Sequence, residues 1–133
     1  MSDFKSRYKL TDVGLPASFQ TIRELERDVG FSLPAEYVEI LQVANGFALS
    51  NGVIIYAAED IPERNRTFEV KTYAPGYFAI GDDSGGRLLM LNGSKPGIWI
   101  VDDGSVHPND MIFLNYSFGD WIDSGFPLRA KPA

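Results

Sequence analysis

Gly81-Asp82-Asp83-Ser84-Gly85-Gly86 sits between two apolar runs, Tyr77-Phe78-Ala79-Ile80 before it and Arg87-Leu88-Leu89-Met90-Leu91 after it. This is the short-range signature of a β-hairpin: Asp and Ser side chains bond nearby backbone, and Gly accepts the positive φ of a tight turn. The second run is apolar without alternation from Leu88 to Leu91, which for a strand means burial on both faces and a central place in its sheet. The rest of the chain has to supply the cover for both faces.

Before the hairpin the pattern is helical. Residues 1 to about 17 show no clear period, and Gly14-Leu15-Pro16 breaks what precedes it, so a loose lead-in is expected. From Ser18, the residues Phe19, Ile22, Leu25 and Val29 share one face, with either Ser18 or the capping box Thr21-Ile22-Arg23-Glu24 at the start and Gly30 at the end. Leu33-Pro34 opens a second helix with Pro34 at its first position, a buried stripe of Tyr37, Ile40, Leu41 and Ala44, and Asn45-Gly46 as the stop. Two short helices of this kind are expected to lie on one side of a sheet.

Gly52-Val53-Ile54-Ile55-Tyr56-Ala57 reads as the first strand. The charged stretch Glu59 to Arg66 reads as an exposed connection in which Pro62 starts one helical turn, and Phe68 to Tyr73 as weakly extended. After the hairpin come a strand at Ile98-Trp99-Ile100-Val101, a polar loop from Ser105 to Asp110 and a short apolar run, Met111 to Leu114. Ser117-Phe118-Gly119-Asp120 has cap spacing ahead of a last helix that buries Phe118, Trp121 and Ile122, and Pro127 to Ala133 reads as tail. The aromatics Tyr37, Phe47, Tyr56, Phe78, Trp99 and Trp121 are expected mostly in the core, with a few on the rim of a binding surface.

The residue inventory narrows the chemistry. With no cysteine there is no disulfide, thiolate metal site or thiol nucleophile, and a single histidine, His107, rules out a multi-histidine metal cluster. Twelve basic against 18 acidic residues give a net charge of −6, which disfavours binding to phosphate backbones and suits a basic protein partner. No apolar run reaches the roughly 18 residues of a membrane-spanning helix, and the first ten residues lack a signal-peptide core, so a cytoplasmic location is expected. The 133 residues are expected to form one domain, with a core from about 18 to 126 and loose ends.

Asp82-Asp83 and Asp102-Asp103 are the two acidic pairs. Neither has calcium-loop spacing, and each leads into glycine, as turn chemistry demands. Gly81, Gly85 and Gly86 lack the lysine and the helix of a phosphate loop. His107 with Asp110 and Ser105 offers a triad only by composition, since triads assemble in space rather than within one loop. A hydrolase or metal enzyme would need Asp82, Asp83, Asp102, Asp103 and His107 to converge in one pocket.

Four segments taken in order carry a resemblance: Gly30-Phe31-Ser32-Leu33-Pro34-Ala35-Glu36-Tyr37 with Asn45-Gly46, Phe78 to Gly86, Val101-Asp102-Asp103, and Ser117-Phe118-Gly119-Asp120-Trp121-Ile122. Together they resemble the SMI1/KNR4 (SUKH) superfamily over about residues 18 to 126. The resemblance implies an α+β domain whose mixed or mainly antiparallel sheet has about 5–6 strands, with helices packed against it. It also implies a non-enzymatic role with no catalytic residues, cofactor or metal, since bacterial members are commonly immunity proteins that bind and neutralise toxins, often nucleases. The motif positions Leu33, Pro34, Asn45, Gly46, Gly81 and Asp82 read equally well as structural.

The expected function is therefore binding of a basic toxin domain by an acidic surface, with no direct contact to nucleic acid or membrane, by a monomer or weak homodimer. A regulatory module that binds an endogenous protein or small ligand is the alternative. Charge and expected exposure place the partner-binding surface on Glu59, Asp60, Glu63, Arg64, Asp82, Asp83, Arg87, Asp102, Asp103 and Asp110.

Overall fold

The Asp82–Arg87 hairpin lies near the middle of a sheet in which strands follow one another in space in the order of the chain. The computed structural model describes residues 4–129. It contains the helices α1 (Phe4–Arg7), α2 (Phe19–Val29), α3 (Ala35–Leu41), α4 (Ile61–Thr67), α5 (Val70–Tyr73) and α6 (Phe118–Asp123). The strands are β1 (Leu10–Thr11), β2 (Phe47–Leu49), β3 (Ile54–Ile55), β4 (Tyr77–Asp82), β5 (Arg87–Asn92), β6 (Ile98–Asp102) and β7 (Ile112–Asn115). All neighbours pair antiparallel in the order β1 to β7, so the fold is α+β, and its seven strands exceed the five or six expected.

The extra strands are short. The expected lead-in forms α1 and β1, and Phe4 is fully buried against the ring of Phe47. Phe47–Leu49 forms β2, while the expected strand over 52–57 shrinks to Ile54–Ile55. Ser18, not the box at Thr21, caps α2, and its first residue Phe19 stays 68% exposed. Pro34 is the cap residue of α3, one position earlier than expected, and Gly30 closes α2 in the left-handed conformation. The tail is anchored as far as Pro127, whose carbonyl accepts the Trp121 indole N–H at 2.7 Å, and Leu128 packs on the core; residues 130–133 lie outside the described residues.

Burial of Leu88 to Leu91 on both faces is observed, and it divides the core in two. Leu89 and Leu91 join Phe78, Ile80, Ile98 and Ile100 under α2, α3 and α6, in the cluster that holds Tyr37, Leu41, Phe118 and Trp121. Leu88 and Met90 face the other way, with Ala79, Trp99 and Val101, and are covered by Val70, Ala74 and Val106. Helices therefore lie on both sides of the sheet, not one. Phe68 to Tyr73 was expected to be extended; its second part is α5, because Val70 and Ala74, four residues apart, seat one helical face on the second sheet face.

The chain changes face at the edge of β4. Ile61 of α4 is in the first core and Val70 of α5 in the second, so the segment between them wraps around β4 where β3 has ended. Asn65 stands there in place of a strand. Its Oδ1 accepts from the Ala79 N–H at 2.8 Å, its Nδ2 donates to the Ala79 carbonyl at 3.0 Å, and the same Nδ2 donates to Ile61 O at 2.8 Å. A side-chain amide satisfies both buried backbone groups as a ladder neighbour would. Just beyond, a Cβ on Gly81 would lie 2.2 Å from the Ile54 carbonyl oxygen, so only glycine lets β3 approach β4 this closely.

Candidate protein-docking face

Across the second face, registered pairs form one row: Ala48, Ile54, Asp82, Leu88 and Val101. Leu88 and Val101 are buried in the second core, whereas Ile54 is exposed. Asp82 marks the position where the cover stops. Its Oδ2 accepts from the Tyr56 hydroxyl at 2.7 Å and its Oδ1 accepts from the Ser84 N–H at 2.8 Å.

Tyr56 follows β3 with its ring packed into the core and its hydroxyl directed to this boundary, while the Arg64 guanidinium of α4 lies 5.6 Å from its ring centroid. Burial, the hydrogen bond to Asp82 and the negative charges of Asp82 and Asp103 push the Tyr56 pKa up, against an opposite pull from Arg64. The phenol stays protonated and donating. A recess of about 290 Å³ opens beside it, with Ala48 and Ile54 in its wall and Asp12, Asp60, Arg64 and Asp82 around it. A second recess of about 500 Å³ lies over the second core and is lined by Phe68, Glu69, Tyr73, Asp103, Ser105, Val106 and His107, among others.

The acidic residues of the sequence divide by what they already hold. Asp83 is spent on its turn: the side chain is 7% exposed, Oδ1 accepts from the Gly85 and Arg87 N–H groups, and Oδ2 meets Arg87 Nε at 2.7 Å. Burial alone would raise its pKa, but these bonds outweigh burial and hold it below the usual carboxylate value. Asp102 accepts from the Gly104 N–H, Asp110 from the Ser105 hydroxyl and Glu59 from the Asn45 amide. Glu63 accepts from Thr67 and lies 3.8 Å from Arg64. By contrast the side chains of Asp60, Glu69 and Asp103 make no hydrogen bond or ion pair among the described residues.

Of the surface expected from sequence, Asp60, Arg64, Asp82 and Asp103 gather around Tyr56. Glu63, Asp83, Arg87, Asp102 and Asp110 serve their own turns and helices, and Glu59 holds the Asn45 side chain beyond the end of α3. Tyr56, Glu69 and Tyr73 were not assigned to a site; an aromatic at a strand end beside a charged connector was the available signal for the first. Asp82, Asp83, Asp102, Asp103 and His107 do not share one pocket, and His107 uses Nδ1 to accept from the Asn109 N–H. Among the described residues no three acidic or histidine side chains are grouped to hold a metal ion, and no helix is long and apolar enough to cross a membrane.

Two comparisons with known proteins give matches. The family model described as SMI1 / KNR4 family (SUKH-1) matches residues 16–124. An uncharacterized protein of Bacillus subtilis (strain 168), YnaB, is 34% identical over 111 residues, covering 81% of this chain and 75% of that protein.

Proposed function

The chain belongs to the SMI1/KNR4 family (SUKH-1), and from that premise we propose that it is a non-enzymatic binding protein of the immunity type, neutralising a basic toxin domain in the cytoplasm by direct contact. The observation that carries this reading is the set of uncommitted carboxylates Asp60, Glu69 and Asp103 on the open part of the second face, beside Tyr56 and Tyr73. Carboxylates without internal partners need no bond broken before they meet an incoming cation. Aromatic rims beside them add contact area at low entropy cost and favour guanidinium or ammonium groups. A surface of this sign also accelerates capture of a basic partner at low salt.

Contact through this face leaves the first core untouched, so the fold is the platform and the open second face is the tool. Co-expression with any toxic protein encoded beside it tests the reading. Protection of the host, with a complex isolable from the lysate, is the expected result. No protection and no complex, together with recovery of an endogenous protein on the same bait, would support a regulatory module instead.

A further inference from the structure

The two margins of the sheet are guarded differently. β1 is two residues long, follows Lys9 and runs into Asp12, whose φ of 53° turns the chain away. Shortness, flanking charge and a left-handed residue all discourage strand addition. β7 has none of these. Ile112–Asn115 is twice as long, pairs only with β6 among the described residues, and lies in a stretch from Met111 to Gly119 without a charged residue or proline. Ile112 is 49% exposed and Tyr116 78% exposed, the latter with its ring 4.6 Å from that of Phe113.

The geometry points to the β7 edge as a self-association surface: we infer that it pairs antiparallel with β7 of a second copy about a two-fold axis, joining two sheets into one. The occupant follows from charge. The edge offers a basic partner no carboxylate to pair with, whereas two copies that each carry −6 repel each other least where neither presents carboxylates. The pleat limits the register, because directly opposed residues must point to the same face. Phe113 and Leu114 belong to the second and first faces respectively. Setting Phe113 against its own copy places Ile112 opposite Leu114, apolar against apolar, in a self-complementary contact. The contact is small, so a weak dimer is expected, and the face around Tyr56 stays open in each copy.

Sedimentation equilibrium of the full chain reads this directly. At about 0.1 mM a substantial dimer fraction is expected for the unaltered chain. The double variant Ile112→Lys/Tyr116→Lys alters exposed side chains, so its circular dichroism should be unchanged while its dimer dissociation constant rises at least ~tenfold, from like charge across the two-fold. Leu15→Lys/Phe19→Lys alters a comparably exposed apolar pair far from β7 and should dimerise as the unaltered chain does. A chain that is monomeric throughout, a dimer that survives the β7 variant, or one abolished by the Leu15/Phe19 variant would each overturn the proposal.

Discussion

The two faces of the sheet are built from the same strands and carry different burdens. On the first face, helices cover every strand from β2 to β7, and Tyr37, Leu41, Trp121 and Phe126 are fully buried. On the second, a small cluster under α5 and Val106 covers β4 to β6, with Phe113 of β7 packed at its margin, and the row from Leu88 through Asp82 to Ile54 passes from buried to open within three strands. Stability is therefore concentrated where cover is complete, and the proposed binding surface lies where cover ends. Asp82 and Tyr56 stand at that boundary, each tied to the fold on one side and open to a recess on the other.

Substitutions in the first face should destabilise the protein most. Trp121→Ala removes a fully buried indole and its bond to the Pro127 carbonyl, and should cost about 3–5 kcal/mol in a denaturant titration. Next comes the seam where the chain changes face. Asn65→Ala leaves the Ala79 N–H and carbonyl without their amide partner and should cost about 1–3 kcal/mol, with faster amide exchange at Ala79.

The turn carboxylate is worth less. Asp83→Asn should cost about 1 kcal/mol at neutral pH, since Arg87 is partly solvated. A carboxyl whose folded-state pKa is lowered stabilises the fold above its unfolded value, roughly 3.9, and loses that contribution as pH falls through the folded value. Unfolding midpoints measured from pH 7 down to pH 2 should therefore drop below about pH 4, and part of that drop should be missing in Asp83→Asn. Smallest of all, Asp60→Lys and Glu69→Lys should each change stability by no more than about 0.5 kcal/mol while weakening capture of a basic partner.

Much of the first face was legible in the sequence because its signals are local. Ser18 and Ser117 cap helices, Gly30 closes one, and the buried stripe Tyr37, Ile40, Leu41, Ala44 follows the helical period. Double-sided burial of Leu88 to Leu91 was legible too, from the lack of alternation. What was not legible depends on contacts distant in the chain. Val70-Lys71-Thr72-Tyr73 alternates and contains β-branched residues, yet forms a helix because Val70 and Ala74 have an apolar face to cover. β1 and β2 are too short to show a period and exist through pairing, β1 with β2 and β2 with β3 as well. The two Asp-Asp pairs look alike in sequence. Only the fold separates Asp83 and Asp102, which close their own turns, from Asp103, which acts on Tyr56, and shows that Asp82 does both.

The central claim is that the uncommitted carboxylates of the second face bind the partner. Its most direct test is the affinity of the cognate toxin domain for the triple variant Asp60→Lys/Glu69→Lys/Asp103→Lys, titrated by calorimetry at low and high salt. A reversal of two carboxylates on the first-face helices α2 and α3, Glu24→Lys/Glu39→Lys, serves as reference. At least a ~100-fold loss is expected for the triple variant, with its salt dependence flattened, and little change for the reference. Unchanged affinity in the triple variant, or a greater loss in the reference, would contradict it.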